Sequence, residues 1–138
     1  MAEALLRDAF DKVPLLRGVT VFSAGVAAVD GMAISRHSQT ALEQIGLGLP
    51  KHRSRQLTRE MVGDALAIYC MTESHRWAIE EHFGGAGKVF LFREFLQRGD
   101  VEVADPYGGS LSDYEICRDE LVEAVPSIVA HVCGLLGE

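Results

Sequence analysis

Two apolar segments of strand length, with a helical segment between them, constrain the fold of this chain most strongly. Residues 64–71 read Asp-Ala-Leu-Ala-Ile-Tyr-Cys-Met, and residues 88–92 read Lys-Val-Phe-Leu-Phe. Nearly continuous apolar runs of this length are typical of strands covered on both faces. A helix predicted over 73–83, with Trp77 available to bury, connects them. Strands that alternate with helices predict an α/β fold, a doubly wound parallel sheet flanked by helices.

Three segments of the first half of the chain fit the same fold. Residues 2–12 place apolar side chains at helical spacing and predict an amphipathic helix. Residues 19–22, Val-Thr-Val-Phe, are predicted to form a further short strand. A second helix is expected over about 38–45, because Gly46 follows as a stop signal.

The end of the chain predicts one long helix. Ser112 and Glu115 match a capping box, so the helix is expected to begin there. It is predicted to run toward Leu136 and to be bent or interrupted at Pro126. The chain contains no repeat, linker or low-complexity tract, so residues 1–138 are expected to form a single domain.

The composition limits the classes of partner that the chain is expected to bind. The chain has 138 residues, 48% of them hydrophobic, which suits a compact domain rather than a disordered segment. Its formal charge of −7 argues against nucleic acid as a general partner, because binding many phosphates requires a basic surface. No apolar stretch approaches the roughly 20 residues of a membrane helix, so no membrane association is expected.

The cysteines indicate the compartment. Cys70, Cys117 and Cys133 are odd in number and lack paired spacing, so they are predicted to be reduced thiols of a cytoplasmic protein. No second Cys or His pair stands at zinc-ligand spacing, so neither a metal site nor a cofactor is expected.

The most informative functional segment is 101–109, Val-Glu-Val-Ala-Asp-Pro-Tyr-Gly-Gly. Pro106 fixes its own φ and biases Asp105 toward an extended conformation, which aims the carboxylate. The two glycines that follow Tyr107 allow a sharp turn beside it. Taken alone, the motif fits either a plain turn or an acid loop that serves a reaction.

Residues 51–59, Lys-His-Arg-Ser-Arg-Gln-Leu-Thr-Arg, form the one basic cluster of the sequence. Such a run is typical of a solvated loop and helix start. It could also line the rim of an anion site.

Four motifs in register resemble those of low-molecular-weight protein tyrosine phosphatases of the bacterial type, and the resemblance covers essentially the whole chain. They are Ser-Ala-Gly at 23–25, His-Arg-Ser-Arg-Gln-Leu-Thr at 52–58, Cys-Met-Thr-Glu-Ser-His at 70–75, and Asp-Pro-Tyr-Gly-Gly at 105–109 with Tyr114 beyond. Residues 1–6 match the helix that in this family follows the phosphate-binding loop.

The resemblance implies a mechanism through a cysteinyl-phosphate. A thiolate attacks phosphorus while an acid protonates the leaving oxygen, and the same carboxylate then activates water. By resemblance Asp105 is that general acid and base, and Tyr107 is the aromatic wall of the substrate cleft. The family's first strand, its nucleophilic cysteine and its Cys-x5-Arg loop are absent from the 138 residues, so the domain is expected to be N-terminally truncated relative to the family and inactive as given.

Cys70 to Arg76 also satisfies Cys-x5-Arg. This segment has no glycine for a phosphate-wrapping turn, and Glu73 would repel an anion. Cys70 is therefore interpreted as a buried thiol at a strand end.

Several functions remain open. Substrates of the completed protein would be phosphotyrosine or phosphoarginine proteins, since similar bacterial sequences with the same acid loop are protein-arginine phosphatases. Phosphate-like anions are expected ligands. Arsenate reductase would need further redox cysteines, and residues 72–100 contain none. A non-catalytic phosphatase-like protein is the remaining alternative, because a sheet lacking its first strand could pair with a second copy and form a homo-oligomer.

Overall fold

The computed structural model describes residues 1–26, 35–48, 54–97 and 99–137. Five α-helices and two β-strands occur in the described residues. In chain order they are α1 (Ala2–Asp11), α2 (Arg36–Glu43), α3 (Arg59–Asp64), β1 (Ile68–Cys70), α4 (Glu73–His82), β2 (Val89–Leu91) and α5 (Leu111–Leu136), with a short 3-10 helix at Pro14–Leu16.

The two strands pair in parallel, as the β–α–β pattern predicts. Ile68 lies opposite Val89 and Cys70 opposite Leu91, and α4 provides the crossover. Alternate residues of a strand point to opposite faces of a sheet. Accordingly Ile68 and Cys70 contact one buried cluster, whereas Tyr69 packs against another.

The two clusters cover the two faces of the sheet. The smaller one joins β1 and β2 to α3 and α4 through Val62 and Ile79, which are 1% and 4% exposed. The larger one joins the sheet to α1 and α5. Its buried members include Leu5, Leu6, Phe10, Phe92, Leu121 and Ile128. Helices on both faces of a parallel sheet confirm the predicted α/β fold.

Side-chain caps set where three helices begin. Ser35 accepts a hydrogen bond from the Ser38 N–H, Thr58 from that of Met61, and Thr72 from that of His75. Each cap satisfies an otherwise unpaired N–H group of the first turn. The cap at Ser35 explains why α2 begins two residues before the expected start at 38.

The strand predicted at 64–71 is shorter than expected. Asp64 ends α3, whose start is fixed by Thr58, and β1 begins only at Ile68. The apolar run from Ala65 therefore includes a connection, in which Leu66 is 47% exposed. Periodicity could not separate these parts because Ala and Leu suit a helix end as well as a strand.

The strand predicted at 19–22 is wrong. The only pairing in this part of the described chain is an isolated parallel bridge between Gly25 and Gln56. Side chains of helix α1 bind the backbone of this segment instead. Arg7 Nε donates to the Val21 carbonyl at 2.9 Å, and Glu3 accepts a hydrogen bond from the Ser23 N–H at 2.8 Å. Side chains of a neighbouring helix thus replace a sheet ladder.

Two further predictions need correction. Trp77 was expected to be buried, but it lies on the outer face of α4 and is 62% exposed, while Ile79 occupies the core. Helix α5 is continuous through Pro126, so the expected interruption is wrong, while the alternative of a bend there stays a prediction. Ala124 and Ile128, on either side of the proline, are both fully buried, and this packing offsets the hydrogen bond that proline cannot donate.

None of the helices in the described part of the chain combines the length and the apolarity that a membrane crossing requires.

Candidate active site

The acid loop is a tight turn between a buried anchor and the start of α5. Val103 is 1% exposed, and its N–H donates to the Met71 carbonyl at 2.9 Å, just beyond the end of β1. Asp105 follows at the surface, where its Oδ1 accepts the Tyr107 N–H at 3.0 Å. The chain then reverses through a bond of 2.8 Å from the Gly109 N–H to the Pro106 carbonyl.

Two glycines make this turn possible. Gly108 has a φ of +80°, a conformation that other residues rarely adopt. At Gly109, a Cβ would lie 2.5 Å from Asp113 Oδ2 and 2.9 Å from the Pro106 oxygen. No larger residue fits at Gly109 unless the turn shifts.

A capping box fixes the end of the loop, but not at the predicted residues. Ser110 Oγ accepts the Asp113 N–H at 3.3 Å, and Asp113 Oδ2 accepts the Ser110 N–H at 3.0 Å. The prediction of Ser112 and Glu115 is therefore wrong, and α5 begins at Leu111. Both pairs match the sequence pattern, and the turn at Pro106 to Gly109 selects the earlier one.

Asp105 and Tyr107 lie at the rim of a cleft of about 380 Å³. Tyr107 is 86% exposed, so its ring stands out from the body of the protein. The other walls come from the start of α1, the Ser23 segment, the first turn of α2, Met71 and α5. They comprise Met1, Ala2, Glu3, Ser23, Ser35, Ser38, Met71, Tyr114, Cys117 and Leu121.

The start of α1 opens onto this cleft. The first N–H groups of a helix have no partner within it, and together with the helix dipole they favour an anion. Helix α1 has ten residues and no side-chain cap on its N-terminus. The cleft thus combines a carboxylate, an exposed aromatic ring and a helix N-terminus.

Glu3 lines the cleft and joins two of the segments that form it. Its side chain is 5% exposed, and Oε1 accepts both the N–H and the Oγ–H of Ser23, at 2.8 and 2.9 Å. Arg7 Nη2 lies 3.3 Å from the second carboxylate oxygen. The first turn of α1 and the Ser-Ala-Gly segment at 23–25 are thereby tied together. A buried carboxylate needs such partners.

The profile of the family described as low molecular weight phosphotyrosine protein phosphatase matches residues 1–133. The chain belongs to this family. A protein-arginine-phosphatase of Geobacillus stearothermophilus is 38% identical over 122 residues, which are 88% of this chain and 78% of that protein. One from Bacillus subtilis is 36% identical over 133 residues, 96% and 87% of the two chains. A probable low molecular weight protein-tyrosine-phosphatase of Ralstonia nicotianae is 30% identical over 136 residues, 98% and 88% of the two.

Solved structures of the family superpose on this chain closely. The YwlE arginine phosphatase of Geobacillus stearothermophilus has a TM-score of 0.83 and 34% identity, over 95% of this chain and 82% of that one. The tyrosine phosphatase Wzb from Escherichia coli K30, in complex with sulphate, has a TM-score of 0.83 and 26% identity, over 95% and 87%. The fold of this chain is that of the phosphatase family.

In this chain, Cys70 is buried and does not line the cleft. It is 7% exposed, and its Sγ contacts the carbonyl oxygens of Phe90 and Thr72 at 3.4 and 3.6 Å. Burial raises the pKa of Cys70 to about 11, which opposes the thiolate that a nucleophile requires. Arg76, the other end of its Cys-x5-Arg, is engaged by Glu94 at 2.5 Å.

Cys117 does line the cleft, from the inner face of α5, and it is also 7% exposed. Burial raises its pKa to about 11, so it is a neutral thiol at neutral pH. All three cysteines are free. In the described part of the chain, no three His, Cys, Asp or Glu side chains converge as metal ligands.

Part of the basic cluster, residues 51–53, lies outside the described residues. Of the rest, Arg59 begins α3, and the Arg55 guanidinium lies 5.4 Å from the centre of the Phe22 ring. Neither residue lines the cleft.

Sequence reasoning missed Glu3, Ser35 and Ser38 at the cleft. A signal for the serines exists in retrospect, because Ser35 and Ser38 are separated by three positions at a helix start. Glu3 could not be identified in this way, since an acidic residue in a first turn is ordinarily a surface feature.

Proposed function

We propose that this cleft hydrolyses phosphorylated side chains of proteins, with Asp105 as general acid and base and Tyr107 as the wall against which the substrate lies. The observation that carries the proposal is the meeting of Asp105 and Tyr107 with the N-terminus of α1 around one cleft. A phosphoryl group at the helix N-terminus would face the carboxylate across the cleft.

The geometry of Asp105 suits proton transfer. Its Oδ1 is held by the Tyr107 N–H, and Oδ2 makes no hydrogen bond within the described residues. In the first step a cysteine thiolate attacks phosphorus, the bond to the leaving group breaks, and Asp105 gives its proton to that group. In the second step Asp105 takes a proton from water, whose oxygen displaces the thiolate and releases phosphate.

The 138 residues do not supply the nucleophile of the first step. The sequence contains a single Cys-x5-Arg, from Cys70 to Arg76. Its thiol is buried, its arginine is paired with Glu94, and neither lines the cleft. We infer that the 138 residues alone do not turn over substrate, and that activity requires a loop with a Cys-x5-Arg placed at the N-terminus of α1.

The identity of the phosphorylated side chain is the second part of the proposal. Both phosphotyrosine and phosphoarginine fit an open cleft with an aromatic wall. Phosphoarginine is supported by the protein-arginine-phosphatases at 38% and 36% identity, compared with 30% for the tyrosine phosphatase of Ralstonia nicotianae. We therefore retain phosphoarginine as a second candidate substrate.

The test is hydrolysis of matched phosphotyrosine and phosphoarginine peptides by the chain joined, ahead of Met1, to a family segment that carries the strand and the Cys-x5-Arg loop. Asp105→Asn is expected to lower kcat about 10²- to 10⁴-fold, the usual contribution of a positioned acid. Asp119→Asn is the matched control, because Asp119 is an exposed carboxylate paired with Arg118. Equal activity of Asp105→Asn and Asp119→Asn would remove Asp105 from the mechanism.

A non-catalytic, self-associating protein is the alternative from a different class. Its support is that β1 and β2 form a two-stranded sheet in the described residues, so that each strand has an edge unpaired by another strand there. Sedimentation of the 138-residue chain decides this alternative. A dimer that dissociates on dilution would support it, whereas a monomer with a single cooperative melting transition would exclude it.

A further inference from the structure

We propose that Arg93 is the positioning residue of the acid loop, since it holds both ends of the chain segment within which Asp105 lies. The catalytic meaning of this role rests on the proposed function of Asp105. The physical claim, that Arg93 controls local opening of the loop, stands on the contacts of Arg93 itself.

Arg93 is a buried cation with its hydrogen bonds directed to two elements. Arg93 lies two residues after the end of β2 and is only 6% exposed. Its Nε donates to the Asp100 carbonyl at 2.8 Å, and its Nη1 donates to the Glu120 carbonyl at 2.7 Å. Its Nη2 donates to Glu123 Oε1 at 2.8 Å. Burial of a guanidinium is costly unless it is paired in this way.

The two carbonyl partners bracket the site in the sequence. Asp100 lies five residues before Asp105, and Glu120 lies on α5 between Cys117 and Leu121, two residues that line the cleft, and next to the latter. One planar guanidinium therefore joins the segment that leads into the acid loop, through Asp100, to helix α5, which follows the loop. A lysine has one ammonium group and cannot span three partners with fixed geometry.

The backbone is adapted to this contact. Gly99 has a φ of +73°, and a Cβ there would lie 3.2 Å from Arg93 Nη2. A side chain at Gly99 would be strained and would press on the guanidinium. Glycine at this position lets the chain pass close to Arg93 before it reaches Asp100.

Two further bonds continue from this anchor to Asp105. Glu102 Oε2 accepts the Glu73 N–H at 2.7 Å, at the start of α4, and the Val103 N–H donates to the Met71 carbonyl at 2.9 Å. Val103 is the last buried residue before the acid. Loss of the Arg93 bonds is therefore expected to loosen Val103, and the position of Asp105 depends on Val103.

The test is amide hydrogen exchange on the 138-residue chain, which does not depend on turnover. Arg93→Lys is expected to speed exchange of the Val103 N–H by about tenfold or more, through local opening. The Phe92 N–H, which donates to the Cys70 carbonyl across the sheet, is expected to keep its rate. Arg118→Lys is the matched control. Arg118 lies on α5 and, like Arg93, donates to a backbone carbonyl, that of Ala41 on α2. It does not touch residues 99–105.

Unchanged exchange at Val103, or equal acceleration at Val103 and Phe92, would overturn the proposal, because the second result means only lower global stability. If Arg93→Lys does not fold, Glu123→Gln weakens one of the three contacts, and the same selective acceleration, of smaller size, is expected. With the Cys-x5-Arg segment attached, Arg93→Lys should lower kcat and leave KM unchanged, most for substrates with poor leaving groups. If Asp105→Asn retains kcat while Val103 exchange responds, the proposed function fails and the anchoring role of Arg93 remains.

Discussion

The backbone N–H of Tyr107 donates to Oδ1 of Asp105 at 3.0 Å, so one hydrogen bond joins the two residues at the rim of the cleft. Pro106 lies between the two residues, and its fixed φ restricts their relative orientation. It places the exposed Tyr107 ring and the Asp105 carboxylate at the rim of the same cleft. Changes to this turn should therefore affect both groups together.

Gly109→Ala should destabilise the protein by about 1–3 kcal/mol, the usual cost of forcing an atom into an occupied site. The new Cβ would meet Asp113 Oδ2 and the Pro106 carbonyl. Urea unfolding measures the free energy of unfolding. Gly134→Ala is the control, because its Cβ would meet nothing within 4 Å on α5, and it should stabilise by about 0.5–1 kcal/mol. A Gly109→Ala chain as stable as the wild type would contradict the described turn.

The start of α5 can be tested with two serine variants. Ser110→Ala removes the cap that accepts the Asp113 N–H and should cost about 1 kcal/mol of stability. Ser112→Ala, at the N-cap expected from the sequence, should change stability by less than about 0.5 kcal/mol, as for an ordinary exposed position. Thermal melting of the two variants gives the comparison. The reverse order of their melting temperatures would place the cap at Ser112.

Stability should fall at alkaline pH. Burial raises the pKa of Cys70 and of Cys117 to about 11, whereas the pKa of an unfolded thiol is about 8.5. Because the folded state holds these protons more tightly, the contribution is fully present below the unfolded pKa and is lost as pH rises through about 11. The decline in the free energy of unfolding is measured by urea unfolding at a series of pH values from about 8 to about 11. The double variant Cys70→Ala with Cys117→Ala should flatten it; an unchanged slope would contradict the assignment.

Trp77 provides a check on the outer face of α4. It is the single tryptophan of the chain and is 62% exposed, so its fluorescence should be red-shifted and readily quenched by acrylamide. Trp77→Ala should change stability by less than about 0.5 kcal/mol, in contrast to about 3–5 kcal/mol for Phe92→Ala in the core. Blue-shifted, protected emission would mean that the ring is covered, by a second copy or by a different packing of α4.

Patterns in the sequence predicted the elements whose hydrogen bonds and burial are local. The helical spacing of Leu5, Leu6 and Phe10 identified α1, and the apolar runs located β1 and β2. The extended segment near Val21 was mistaken for a strand because its partners are side chains of α1, and that contact is not written in local periodicity. The role of Arg93 was hidden for the same reason, since its partners lie up to 30 residues away.

The roles proposed for Asp105 and Cys70 are tested by hydrolysis of p-nitrophenyl phosphate. The assay uses the 138-residue chain, alone and joined to a family segment that carries the strand and the Cys-x5-Arg loop, with Asp105→Ala and Cys70→Ser made in each. We expect no turnover by the 138 residues, turnover by the joined chain, its loss in Asp105→Ala, and its retention in Cys70→Ser. Turnover by the 138 residues alone that Cys70→Ser abolishes would overturn the proposed mechanism, because the nucleophile would then be the buried thiol at the end of β1.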